Sequence, residues 1–337
     1  MSQQRTRKKR LLWVRYTVAL AALFYLFWAA DLVGVLATMP AIGFRVTGLL
    51  FILVLCASLA EATGMSIALR AFGAHLTPLR AMMLMLQIRF YSTIAPGVVS
   101  TGMKIYRLGN RTQKPLESLG GLAVNRAIFV AALLLLGAIA VPLDREFPWP
   151  AIQQAMPIVL VTVALALSLA LLAPVRGWLS RCVDNAAARF SAYAPQTLAK
   201  KLARLTFHLR RMTWRQLSGI AASCLAAHVM GSVGLLMLAN AVELDIPPAV
   251  VFWIRAAIML VTMIPISIAG FGVREISVVA LLSQYGITQP DALGFSMLFV
   301  CFFVLFRALV GFILEMLEAG YTHWRADTVN ALEARRR

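Results

Sequence analysis

Residues 265–275 read PISIAGFGVRE. The stretch before them, VFWIRAAIMLVTM, has the composition of a membrane helix, and ISVVALLSQYG after them has that of half of another. Pro265, Gly270, Gly272 and the adjacent Arg274 and Glu275 therefore stand where hydrocarbon would be. Lipid offers no partner to a free backbone N–H or C=O. A helix broken at membrane depth must be buried in protein or line a wet cavity.

The rest of the chain carries that reading outward. Its 337 residues are 61% hydrophobic, with a mean hydropathy of +0.80. Long apolar stretches identify an integral membrane protein, and at about 20 residues per crossing the length allows about six full spans plus shorter pieces. A net charge of +18 would suggest nucleic acid in a soluble protein. Here the positive charge is concentrated between hydrophobic segments, with no stacking motif or zinc signature, so it reads as topology charge and no nucleic-acid partner is expected. Cys56, Cys182, Cys224 and Cys301 are scattered and form neither a disulfide framework nor a metal set. No cofactor and no metal is expected. The basic start MSQQRTRKKR precedes an apolar run too long for a signal-peptide core, without an A-x-A cleavage site. It reads as a retained first helix.

Full spans are expected near residues 11–30, 47–69, 117–141, 152–173, 215–240 and 292–318. Regions 81–108 and 250–285 each read as two short helices around a Pro/Gly turn, too short to cross as two full helices. One set of loops carries Arg5, Arg7, Lys8, Lys9, Arg10, Arg70, Arg80, Arg107, Arg111, Lys114 and a dense basic run from Arg176 to Arg215. The other carries Asp31, Asp144, Glu146, Glu243, Asp245 and Asp291, with Arg45 and Arg145 as its positive residues. Basic loops lie inside, so both termini are expected in the cytoplasm of a bacterial inner membrane.

The expected fold is therefore an all-α polytopic membrane protein, with about six full spans and two re-entrant broken-helix hairpins. The units 47–141 and 215–318 have the same order and opposite orientation, an inverted repeat. They belong to a membrane domain over 11–320, between a basic N-terminus (1–10) and a polar tail (321–337). "NRAIF" at Arg126 and "FRALV" at Arg307 occupy matching helices of the two units. Within the basic loop 175–214, Leu198, Leu202, Leu205, Leu209 and Met212 fall on one helical face. The loop is either a helix lying on the anionic inner leaflet or simply positive-inside charge. The short tail leads to the expectation that no soluble catalytic domain is attached.

Paired breaks in two halves point to a transport site near the midplane, and helix N-termini exposed there attract anions. Glu61, Arg89, Lys104, Arg126, Arg255, Arg274, Glu275 and Arg307 all sit inside or at the edge of hydrophobic segments. A charge at a helix centre costs at least about 2.5 kcal/mol there, so such residues face protein or water. Six of the eight are basic, which suits an anionic ligand such as a lipid phosphate. Bland alternatives remain open. Arg89 and Lys104 would snorkel at the cytoplasmic surface, and Arg255 at the outer one. Glu61 would pair with Arg126 and only hold helices together. His228 is more simply a hydrogen-bonded packing residue than a proton relay. The glycines of GMSIALRAFG and MGSVG suit close helix packing.

The stretches APGVVSTGMKIYRL, NRAIF and PISIAGFGVREISVVALLSQYGI are similar to those of the lysylphosphatidylglycerol synthase transmembrane-region family, also described as flippase-like. The resemblance covers roughly residues 11–320. It implies two inverted repeats with re-entrant helices around a lipid cavity, in a stand-alone member without the family's aminoacyl transferase domain. Stand-alone members look associated with polysaccharide or glycolipid biosynthesis, so glycosyltransferases or lipid-synthesis enzymes are expected partners. Two departures matter. The family's acid near the first turn is absent beside Ser100 and Thr101, and its Asp–Arg pair is Asn125–Arg126 here. Both remove negative charge and favour an anionic lipid over a cationic aminoacyl lipid.

The leading expectation is a protein that binds or moves an anionic phospholipid or isoprenoid-phosphate glycolipid. Arg126, Arg274 and Arg307 would hold the phosphate, with Glu61 and Glu275 as counter-ions and Arg89, Lys104 and Arg255 nearby. Gly97, Gly102, Gly270 and Gly272 would allow the turns, and Pro96 and Pro265 would fix the breaks. No GxxxxGK[ST] loop is present, so transport would be downhill, ion-coupled or partner-driven. A second expectation is a non-transporting scaffold that docks enzymes through loop 175–214. An intramembrane enzyme ranks below both, since no nucleophile–base pair stands at catalytic spacing.

Overall fold

The structure is a computed structural model. It describes residues 42–94, 97–171, 212–263 and 272–320, with isolated positions between 181 and 211. Every regular element among these residues is helical. The chain runs α1 (Phe44–Ala71), α2 (Pro78–Ile94), α3 (Gly97–Thr112), α4 (Pro115–Ala140) and α5 (Pro150–Leu171). After the basic loop come α6 (Trp214–Ala241), α7 (Pro248–Val261), α8 (Val273–Leu282) and the long α9 (Gln289–Gly320). Local chemistry sets the starts. Thr213 and Gln216 form a reciprocal capping box at α6, Thr288 caps α9 through the Asp291 N–H, and prolines occupy the first turns of α4, α7 and α9.

Four of these helices are long and apolar enough to cross a membrane: α1, α4 with its 3-10 extension to Leu143, α6 and α9. They correspond to the spans expected at 47–69, 117–141, 215–240 and 292–318. The expected span at 152–173 is α5, a 22-residue helix with Pro157 inside it. The expected span at 11–30 lies outside the described residues. So do the tail and, apart from scattered helical positions, loop 175–214. At the end of that loop Met212 is buried in a cluster with Phe72, Phe129 and Ile220, and Leu205 packs against it. Those two residues of the amphipathic face meet protein.

The broken regions divide as their sequences suggest. Each is two short helices, α2 and α3 in the first and α7 and α8 in the second. Units α1–α4 and α6–α9 thus share the order long, short, short, long. Their orientation is opposite. Gly219 lies against Ile67, Gly64 against Ser223 and Cys224, and Gly234 against Leu53. As residue numbers rise along α6 they fall along α1, so the two opening helices run antiparallel at their crossing. Glycine at three levels of this crossing lets the backbones approach, which replaces the hydrophobic drive that lipid does not supply. The largest apolar cluster joins α1, α6, α7 and α9 through Leu50, Val54, Leu238, Ile254 and Phe302. A second holds α2 and α3 to α1 through Met65, Leu69, Leu84 and Leu108.

Candidate functional site

The broken helices stop short of a full crossing, and two adjoining cavities lie where they stop. The first, about 250 Å³, is lined by Glu61 of α1, Arg89 of α2, Lys104 of α3, Asn125 and Arg126 of α4, and Met259 and Thr262 at the end of α7. Apart from Phe129, its remaining wall is aliphatic, with Leu84, Met85, Ile88 and Leu122 among its members. Arg89 donates to the Glu61 carboxylate at 2.5 Å. Arg126 lies over the Phe129 ring at 5.5 Å. Among the described residues neither Arg126 nor Lys104 has a hydrogen-bonded or ion-paired partner.

The second cavity, about 230 Å³, is lined by Arg89, Ser92, Thr93, Arg255, Arg274, Phe299, Phe303 and Arg307, and again by Met259 and Thr262. Arg89, Met259 and Thr262 form the wall common to both. Arg255 is 6% exposed. It donates to the His228 carbonyl at 3.2 Å and the Ser232 hydroxyl at 3.4 Å. Gly231 makes room for it, because a Cβ there would lie 2.3 Å from the guanidinium. Arg274 stands over the Phe299 ring at 5.4 Å. Arg307 comes just after a π-turn over Cys301–Leu305 inside α9. Such a turn inserts one residue into the helical register and re-aims the side chains beyond it. The Nε of Arg255 and the Nε of Arg307 are buried without a hydrogen-bond partner among the described residues.

Seven of the eight charged residues singled out in the sequence therefore line the two cavities. Six are cationic and Glu61 is the one carboxylate. The eighth, Glu275, lines neither. It accepts from the Gly272 N–H at 2.5 Å and so closes the first turn of α8. Glu61 pairs with Arg89 and not with Arg126, because α2 lies alongside α1 and delivers Arg89 first. Snorkelling of Arg255 to a surface is excluded by its burial. His228 is fully buried, with Nε2 2.9 Å from the Phe129 carbonyl and Arg255 donating to its own carbonyl. Asn125 is buried in the first cavity wall, a neutral amide.

The expected turn residues divide. Gly272 sits at φ +81°, a conformation other residues rarely adopt, at the start of α8. Gly97 is the first residue of α3. Gly102 is no turn residue, since it lies inside α3 with open space around it. Pro96, Pro265 and Gly270 lie outside the described residues.

Sequence reasoning missed two networks that tie one unit to the other. At the far end of α3, Arg107 makes two 2.7 Å bonds to the Glu315 carboxylate of α9. The Tyr91 hydroxyl donates to Glu315 at 2.9 Å, Arg111 pairs with Glu318, and Gln87 donates to Glu318 at 2.8 Å. The second network lies at the other end of α4. There buried Asp144 accepts from the Trp253 indole N–H at 2.9 Å and from the Tyr285 hydroxyl. The two networks correspond under the exchange of units. Each joins one unit's broken-helix pair to an acid at the end of the other unit's last helix.

No curated protein and no solved structure matches this chain. The profile described as "Lysylphosphatidylglycerol synthase TM region" matches residues 12–311, which include both broken-helix pairs and every cavity-lining residue. The chain belongs to the lysylphosphatidylglycerol synthase TM region family, and is a membrane protein of lipid-related function.

Proposed function

We propose that this protein binds an anionic lipid headgroup in its paired cavities and moves it across the bacterial inner membrane, with the Glu315 end facing the cytoplasm. The observation that carries the reading is the cationic lining itself. Arg126, Lys104 and Arg307 face the cavities without counter-ions among the described residues, and uncompensated charge in a low-dielectric site is costly. A phosphate supplies the missing charge and several acceptors at once. The aliphatic wall of the first cavity gives the lipid chains a surface to leave along.

Movement, rather than binding alone, is supported by the two cross-unit networks. Arg111 of the first precedes the start of α4 and Asp144 of the second follows its end, and α4 itself is about 40 Å long over its 26 residues. Polar contacts at both ends of a central cavity are where alternate opening would act in a pair of inverted units.

The experiment is lipid movement in liposomes carrying the purified protein. Fluorescent anionic and zwitterionic lipids are compared, with Arg307→Ala as control. The anionic lipid crosses faster, and Arg307→Ala inserts and folds but loses that movement. Normal transport by the variant sinks the role of Arg307, and equal rates for the two lipids sink the anionic reading.

A further inference from the structure

We infer that the preferred headgroup is a diphosphate ester, seated across Arg89 with one phosphate in each cavity. The inference rests on the lipid reading above and narrows its ligand class. It starts from the count of charges. A phosphodiester headgroup carries one negative charge, yet among the described residues six cationic side chains line the cavities against one carboxylate, that of Glu61. Glu61 is already engaged by Arg89. Arg126 and Lys104 then stand on one side and Arg255, Arg274 and Arg307 on the other. A single phosphate seated in one cavity faces the cations of that cavity. Two phosphates joined through a bridging oxygen reach both.

The shape agrees with the charge. The cavities are of nearly equal size and share Arg89, Met259 and Thr262, so a ligand occupying both passes Arg89. That side chain is held from one side by Glu61, which leaves the rest of its donor fork for the ligand. In the second cavity Arg255 and Arg307 are among the lining cations, and a terminal phosphate presents several acceptors to them. The lipid tail belongs to the first cavity, whose wall carries Leu76, Leu84, Ile88 and Leu108. The second wall is aromatic at Phe299 and Phe303, with Arg274 over Phe299.

The test uses the purified full-length protein and four probes: a polyprenyl diphosphate, the matching polyprenyl monophosphate, phosphatidylglycerol and inorganic pyrophosphate. Affinities are read by competition against one labelled anionic lipid. The diphosphate lipid is expected to bind about tenfold or more tighter than the monophosphate, the gain of one further charge-assisted contact set. In Arg307→Gln that ratio falls towards one, with the variant's folding checked separately by its thermal midpoint in detergent. Lys104→Gln reduces the same ratio from the first cavity. Equal affinities for diphosphate and monophosphate lipids overturn the inference, and phosphatidylglycerol binding then still supports the broader lipid reading. Failure of all three lipids overturns both. Inorganic pyrophosphate competing as well as the diphosphate lipid keeps the diphosphate site and overturns the lipid as its source.

Discussion

Arg107 of α3 and Glu315 of α9 meet in a two-pronged ion pair, 2.7 Å at each prong, with side chains only 14% and 9% exposed. The pair fastens the first unit's broken helices to the last helix of the second. The Tyr91 ring lies under the guanidinium at 4.7 Å while its hydroxyl donates to the same carboxylate. Both charges thus have their hydrogen-bonding capacity answered nearby, which is what makes a buried pair tolerable.

Removing one partner leaves the other charge stranded. Glu315→Gln is expected to cost about 3 kcal/mol and to lower the thermal midpoint of the detergent-solubilised protein. The swap Arg107→Glu with Glu315→Arg recovers part of the loss. A double variant no better than the worse single one shows that the two side chains do not depend on each other.

Asp144 plays the corresponding part at the other end of α4. It is 1% exposed and accepts from Trp253 and Tyr285 of the second unit. Asp144→Ala strands both donors and is expected to cost about 2–3 kcal/mol. The indole N–H of Trp253 loses its partner, so tryptophan emission shifts. Unchanged emission and midpoint contradict the contact.

Gly311 of α9 packs against the backbone of α2. A Cβ there would lie 2.0 Å from the Leu86 carbonyl oxygen. Backbone cannot rotate away as a side chain can, so Gly311→Ala forces the helices apart at a cost of about 1–3 kcal/mol. Gly102→Ala, in open space within α3, is neutral or slightly stabilising. Thermal midpoints of the two variants check both signs.

Glu61→Gln tests the charge balance from the opposite direction. The carboxylate neutralises Arg89, so its removal makes the cavities more positive. Binding of anionic lipid is expected to tighten about threefold to tenfold, measured by titration into the purified protein. Weakened binding in a folded variant makes Glu61 a required contact rather than an opposing charge.

Parts of this architecture are legible in the sequence. Helix breakers at 265–275 and arginines in mid-span stand out because lipid penalises both, so the broken regions and Arg126, Arg255, Arg274 and Arg307 can be picked without an alignment. Pairing cannot. Whether Glu61 meets Arg126 or Arg89 depends on how α2 lies on α1, which no local pattern records. Arg107, Glu315 and Asp144 escape for a different reason. They lie at the ends of apolar segments, where positive-inside charge and loop acids look the same as an ion pair or a buried acceptor. The π-turn before Arg307 has no sequence signature, and Gly102 resembles a turn residue only because a proline precedes it nearby. The role of Gly311 is set by Leu86, a neighbour far earlier in the chain.

The measurement that bears most directly on the central claim is the lipid that stays with the protein. Wild-type protein and the variant carrying both Arg126→Ala and Arg307→Ala are purified gently from the same membranes, and bound lipid is counted by native mass spectrometry. Anionic, phosphate-bearing lipid is expected to be retained by the wild type and lost from the variant, with both proteins folded. Equal retention by the two, or retention of zwitterionic lipid alone, contradicts a headgroup site built on these arginines.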